Sequence, residues 1–162
     1  MAVMSRTTLS RKSFYGYFRD RHELIARLVA PLRAEIDERA AEARATHEDV
    51  RGQLRAVFLV VADVYMQHGA LLRALRESSG HDADAERVWR EFTDPPTATV
   101  ADLIRREARG LDPAATARAL ITMNLGCFFE QLVGEPRARP EHLVDSLVEI
   151  WLRTIYGEPP PD

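Results

Sequence analysis

Apolar residues recur with a period close to 3.6 along almost the whole chain, and no clean run of β-branched residues alternates with period two. This pattern predicts amphipathic helices and gives no strand signal, so the expected fold class is all-α, a helical bundle. A chain of 162 residues is long enough to bury a core of its own. The single cysteine excludes a disulfide framework, so packing must hold the bundle together.

Capping residues, glycines and prolines divide the helical pattern into segments. Asp20 followed by Glu23 resembles a capping box, which predicts a long helix through about Ala45. Two adjacent prolines remove two backbone donors and restrict the residue before them, so we expect a break or a strong kink where they occur. Further helix starts or breaks are predicted at Thr46, Gly69, Gly80, Pro95-Pro96, Gly110 and residues 134–140.

The last two helices carry more apolar surface than one small core needs. Asp112-Pro113 is an N-cap followed by proline at the first helical position, and residues 119–129 of the helix that it opens are apolar on nearly all sides. The final helix, from about residue 141 to 156, is apolar on two sides, with Leu147 as a candidate for a subunit seam. This surplus predicts an isologous homodimer packed as a four-helix bundle, and a larger internal core is the alternative.

Charge is distributed unevenly along the chain. Residues 1–27 hold six basic and two acidic groups, whereas the other residues hold 16 basic and 23 acidic groups. A basic head fits a polyanion such as nucleic acid, although an ordinary solvated helix face has a similar composition. No stretch of 18 residues is apolar without a charge, so we expect no membrane span. The lack of an apolar leader together with the single cysteine favours a cytoplasmic protein.

The most specific string, LSRKSFYGYFRDRHEL, occupies residues 9–24. Ser10 can cap a short helix with Phe14 and Phe18 on one face at i, i+4, which leaves hydroxyls and cations on the other face. A helix of this kind fits the major groove of B-form DNA. The string resembles the recognition helix and the following helix of TetR-family transcriptional repressors.

That resemblance implies roles for the polar residues of the string. Phosphate contacts would position the module on DNA, and base contacts would select the operator. Ser10, Arg11, Lys12 and Ser13 stand where the family reads base edges or phosphates, and Tyr15, Tyr17 and Arg21 stand at phosphate-contacting positions. The family has two helices before this string, whereas only eight residues precede Leu9 here, and Thr8 stands where a glycine is expected. We therefore expect residues 1–27 to form a partial helix-turn-helix domain, with weak or no specific DNA binding by the 162-residue chain.

A second resemblance is C-terminal. Residues 119–124, Phe129, Gly134-Glu135 and residues 149–158 are similar to the ligand-binding and dimerisation domain of the EthR-like subgroup. It implies that residues 28–158 form this domain and that an elongated apolar pocket binds a small apolar effector. The proline-rich composition of residues 159–162 separately predicts a flexible tail. The pocket candidates are Tyr65, Trp89, Phe92, Asn124, Phe128, Phe129 and Trp151.

Asn124 is the informative member of this set. An amide in an apolar helix is costly unless it is hydrogen-bonded, so we expect it to meet a ligand, a water or a neighbouring helix. The resemblance makes it the polar group of the pocket. An interhelical bond that fixes the register of two helices is the alternative.

Enzyme chemistry has little support in the sequence. The five histidines show no metal-ligand pairing at helical spacing with another histidine or a cysteine, and there is no glycine-rich phosphate loop. Cys127 lies in an apolar helix, and no cation close in sequence would stabilise its thiolate. We therefore expect an inert thiol. We therefore expect no catalytic residue, metal or cofactor. The predicted function is a TetR-like repressor controlled by an apolar effector, and the alternative is a helical ligand-binding or scaffolding dimer that has lost DNA binding.

Overall fold

A computed structural model describes residues 21–134 and 139–157. Within these ranges the chain forms five helices and no strand, which confirms the all-α prediction. The helices are α1 (Arg21–Ala45), α2 (Val50–Ser79), α3 (Ala83–Glu107), α4 (Pro113–Leu132) and α5 (Pro140–Tyr156).

Aspartate side chains cap three of the helices. Asp112 accepts a hydrogen bond of 2.8 Å from the amide of Ala115, with proline at the start of α4 as the sequence predicts. Asp82 caps α3 and Asp49 caps α2 in the same way. The predicted start at Thr46 was wrong, because its hydroxyl donates to a carbonyl at the end of α1 and leaves the capping position to Asp49.

Like α3, helix α2 packs against each of the other four described helices. Its core face carries Phe58, Ala62, Tyr65, Leu72 and Leu75, all buried. Among the described residues, α2 is the one helix long and apolar enough to cross a membrane by length and composition. Here its apolar side is used for packing within the bundle.

The predicted break at Gly69 was wrong, because α2 continues through this residue. A Cβ atom at Gly69 would lie 2.6 Å from a side-chain methyl of Val133, just beyond the end of α4. Glycine is therefore needed for a close approach between two elements rather than for a turn.

The sequence predicted a break or a strong kink at Pro95-Pro96, and the break was wrong, because α3 is continuous from Ala83 to Glu107. Core residues lie on both sides of the prolines, with Phe92 before them and Ile104 after them. Thr97 and Thr99 sit in the following turn, and their hydroxyls donate to backbone carbonyls four residues earlier. Packing of the apolar stripe at both ends of α3 therefore outweighs the local cost of two missing amide donors.

Helix α5 is buried more completely than the sequence suggests. Its two apolar sides are both covered within the single chain, because α5 packs against α2, α3 and α4. Leu147 is only 2 % exposed, so its assignment to a subunit seam was wrong. Two large apolar residues of α5 stay exposed, Ile150 at 44 % and Tyr156 at 38 %.

Candidate effector site and DNA-reading segment

The predicted DNA-reading residues fall almost entirely outside the described ranges. Ser10, Arg11, Lys12, Ser13, Tyr15 and Tyr17 lie outside them, and Arg21 is described only as the first residue of α1. The structure does show how α1, which directly follows this segment, is attached to the bundle.

An ion-pair network joins α1 to α2. A guanidinium nitrogen of Arg39 lies 2.6 Å from a carboxylate oxygen of Asp63, and another donates to Glu35 at 2.7 Å. Gln67 also donates to Asp63, at 2.8 Å. The hydrogen bonds from Arg39 and then Gln67 lower the pKa of Asp63 below its ordinary value, so this carboxylate is charged at neutral pH.

Five of the seven predicted pocket residues form one set of touching rings, called here the aromatic cluster. The centroid of the Tyr65 ring lies 5.0 Å from that of Phe129 and 5.5 Å from that of Phe128. Trp89 lies 6.1 Å from both Phe129 and Phe92. These are direct ring contacts, and they join α2, α3 and α4.

The other two predicted residues are paired with each other. Indole Nε1 of Trp151 donates a buried hydrogen bond of 3.0 Å to Oδ1 of Asn124. Phe58 packs edge-on against Trp151, with ring centroids 5.1 Å apart and planes inclined at 79°. Phe58 was not among the residues that the sequence predicted for the pocket. Its spacing of seven residues from Tyr65 on the same helix face was the available signal.

The two groups lie next to each other along α4. Asn124 and Phe128 are four residues apart and therefore occupy one face of that helix, and both are buried. Within the described residues, the buried interior thus contains one amide–indole pair and one aromatic cluster, both set in aliphatic side chains of a single core. An apolar interior with a few polar groups is the usual composition of a small-molecule site.

One polar atom in this interior is not satisfied. Among the described residues, the hydroxyl of Tyr65 is the one fully buried side-chain oxygen or nitrogen without a hydrogen-bond partner. Burial raises the pKa of this hydroxyl, so it is protonated at neutral pH. The guanidinium of Arg76 lies over the Phe129 ring, 4.8 Å from its centroid, and covers the cluster from the surface.

The described residues form an all-α bundle with a few polar groups in an apolar core. Residues 54–157 match the family model described as the C-terminal domain of transcriptional regulator EthR. The chain belongs to this family, and it is a TetR-like transcriptional regulator. Membership of a regulator family also confirms the prediction that the protein is not an enzyme.

Relatives in mycobacteria are similar over nearly the whole chain. An HTH-type transcriptional regulator EthR of Mycobacterium tuberculosis (strain ATCC 25618 / H37Rv) is 27% identical over 159 residues, which cover 93% of this chain and 74% of the relative. A protein of the same name from Mycolicibacterium smegmatis (strain ATCC 700084 / mc(2)155) is 28% identical over 162 residues, covering 94% of this chain and 74% of the relative.

Proposed function

We propose that this regulator is a cytoplasmic repressor whose affinity for operator DNA is lowered by a small, mostly apolar effector bound in the core of residues 28–158. The observation that carries the proposal is the buried Asn124–Trp151 pair beside the aromatic cluster. An interior stabilised only by packing has no need of an amide and an indole N–H at its centre. A polar group inside an otherwise apolar site fixes the orientation of a ligand.

The effector site is proposed to open when the ligand enters. Ring centroids 5.0–6.1 Å apart leave no room for another molecule between the paired rings of the aromatic cluster. An effector must therefore separate at least one pair of rings. Its binding would favour a conformation different from the structure described here, in which the rings touch. Tyr65 lies on α2 two residues after Asp63, and Asp63 binds α1 through Arg39. Through the ion pair between Asp63 and Arg39, a shift of α2 would move α1 and with it the proposed DNA-reading residues that precede α1.

Asn124 is proposed to contribute its amide N–H groups to the ligand, because the bond from Trp151 uses only the carbonyl oxygen. Replacing Asn124 with alanine should then weaken the binding of ligands that have a carbonyl acceptor and leave the binding of purely apolar ligands unchanged. Equal weakening of both kinds would mean that the residue orders α4 and α5 rather than the effector.

A homodimer is proposed to form through the outward face of α4. Ala119 and Thr122 on this helix are exposed, Ile121 and Leu125 are only partly buried, and an added Cβ at Gly126 would meet no atom within 4 Å. The packing of the single chain therefore gives no reason for glycine in the middle of α4. A close approach by the same helix of a second subunit would give one.

Residues 10–21 are proposed to read the operator, with Tyr15, Tyr17 and Arg21 on phosphates and Lys12 among the residues that contact bases. The test is a shift assay with the protein expressed from its complete gene and the DNA upstream of that gene. Tyr15→Phe and Arg21→Ala should weaken binding to many sequences alike, whereas Lys12→Ala should change sequence preference. Arg87→Ala, on the exposed side of α3, is the matched control and should change nothing. Absence of salt-dependent binding would leave the alternative, a helical ligand-binding dimer without DNA.

A further inference from the structure

The hydroxyl of Tyr65 is an anomaly in this core. Tyr65 is 1 % exposed, and its oxygen has no hydrogen-bond partner among the described residues. The ring itself is well packed between Phe128 and Phe129. Phenylalanine would make the same ring contacts without the penalty of a buried, unpaired hydroxyl, so packing does not account for tyrosine at this position.

Neighbouring polar groups do not use this hydroxyl. The carbonyl oxygen of Asn124 already accepts from Trp151. Arg76 lies over the face of Phe129, and Arg73 donates to the carbonyl of Val133 at 2.8 Å, beyond the end of α4. The Tyr65 oxygen therefore keeps its full capacity to donate and to accept a hydrogen bond, on a ring that belongs to the aromatic cluster.

We infer that the Tyr65 hydroxyl is the second polar anchor of the effector site, and that it selects effectors with a neutral hydrogen-bond acceptor attached to an apolar body. This inference rests on the proposed function. The acceptor class is a ketone, ester or amide carbonyl, because the protonated hydroxyl donates to it. A carboxylate is disfavoured, because the surrounding rings would desolvate its charge.

The experiment compares two probes that differ by one polar atom. Benzylacetone has a carbonyl on an apolar body, and butylbenzene has a similar shape without it. Both are titrated by calorimetry against the wild-type protein, Tyr65→Phe and the matched control Tyr156→Phe, which removes a hydroxyl from the exposed end of α5. Thermal melting of each protein without probe is recorded alongside.

If the inference is correct, benzylacetone binds Tyr65→Phe roughly 3- to 10-fold more weakly than wild type, as the loss of one neutral hydrogen bond requires. Butylbenzene binds both proteins alike, and Tyr156→Phe behaves as wild type. Tyr65→Phe without probe melts at the same or a higher temperature, because an unpaired buried hydroxyl has been removed.

Three results would overturn the inference, and they are distinguishable. If both probes bind wild type and Tyr65→Phe with unchanged affinities, the effector site stands but the hydroxyl does not select its ligand. If neither probe binds wild type, both the role of the Tyr65 hydroxyl and the apolar effector site on which it rests are contradicted. A lower melting temperature for Tyr65→Phe, with equal losses for both probes, would also overturn it, because the hydroxyl would then be structural.

Discussion

Trp151 donates its indole hydrogen to Asn124 across 27 positions of sequence, and the bond of 3.0 Å is buried. It connects α4 to α5, the two C-terminal helices of the bundle. Because both groups are removed from water, each depends on the other for its hydrogen bond. The pair therefore links these two helices and places a polar group in the region proposed for the effector.

Replacing Asn124 with alanine should lower the free energy of unfolding by about 1–3 kcal/mol, because the buried indole N–H loses its acceptor. Urea denaturation monitored by circular dichroism measures this change. Thr122→Ala, on the exposed side of the same helix, is the control and should stay within about 0.5 kcal/mol of wild type. An Asn124→Ala protein as stable as the control would mean that the indole finds another partner.

Replacing Pro95 with alanine should stabilise the protein by about 2 kcal/mol, because α3 is continuous at this exposed position and alanine restores an amide donor. Pro113→Ala is the control, since proline at the start of α4 removes no intrahelical bond and its replacement should have little effect. The comparison is made by chemical denaturation. Equal responses of the two variants would contradict the account of α3.

These two prolines show which parts of the fold the sequence could predict. The N-cap of α4 is a local signal, so Asp112 and the proline after it were interpreted correctly. The continuity of α3 and the role of Gly69 depend on residues that are distant in sequence, and tertiary packing overrides the local preference there.

The candidate site divides in the same way. Sequence predicted Asn124 as a buried polar residue, because an amide in an apolar helix is conspicuous. It could not predict which partner satisfies the amide, since Trp151 lies on another helix. The unpaired hydroxyl of Tyr65 gives no sequence signal at all, because only the neighbours in space decide whether a hydroxyl is bonded.

Replacing Gly126 with arginine should convert the proposed dimer into a monomer. Gly126 faces open space in the single chain, so the larger residue should leave the helical content unchanged while it blocks the approach of a second subunit. Light scattering should report about twice 18.3 kDa for wild type and 18.3 kDa for the variant. Ala98→Arg, on the exposed side of α3, should stay dimeric. A wild-type monomer, or a dimeric Gly126→Arg protein, would contradict the proposed interface.

Replacing Asp63 with asparagine should remove a stabilising contribution that depends on pH. The pKa of Asp63 is lowered in the folded state, so its contribution is present above the ordinary pKa of 3.8 and is lost as the pH falls through the lower folded value. The side chains of Arg39 and Asp63 are each 35% exposed, so we expect the ion pair to add less than about 1 kcal/mol to the free energy of unfolding at pH 7.

Unfolding free energies of wild type and Asp63→Asn should thus differ between about pH 5 and 7 and start to converge only below about pH 4. Asp37→Asn, which breaks an ion pair with Arg33 inside α1, is the control because it does not connect two helices. A difference between wild type and Asp63→Asn that persists unchanged into acid would show that the charge of Asp63 is not its source.

We propose that an apolar effector and operator DNA favour different conformations of the same protein. Operator affinity is measured with and without saturating benzylacetone, and benzylacetone affinity with and without operator. The probe should weaken operator binding, and DNA should weaken probe binding by the same factor, as linkage requires. A probe that binds the protein tightly and leaves operator affinity unchanged would contradict it.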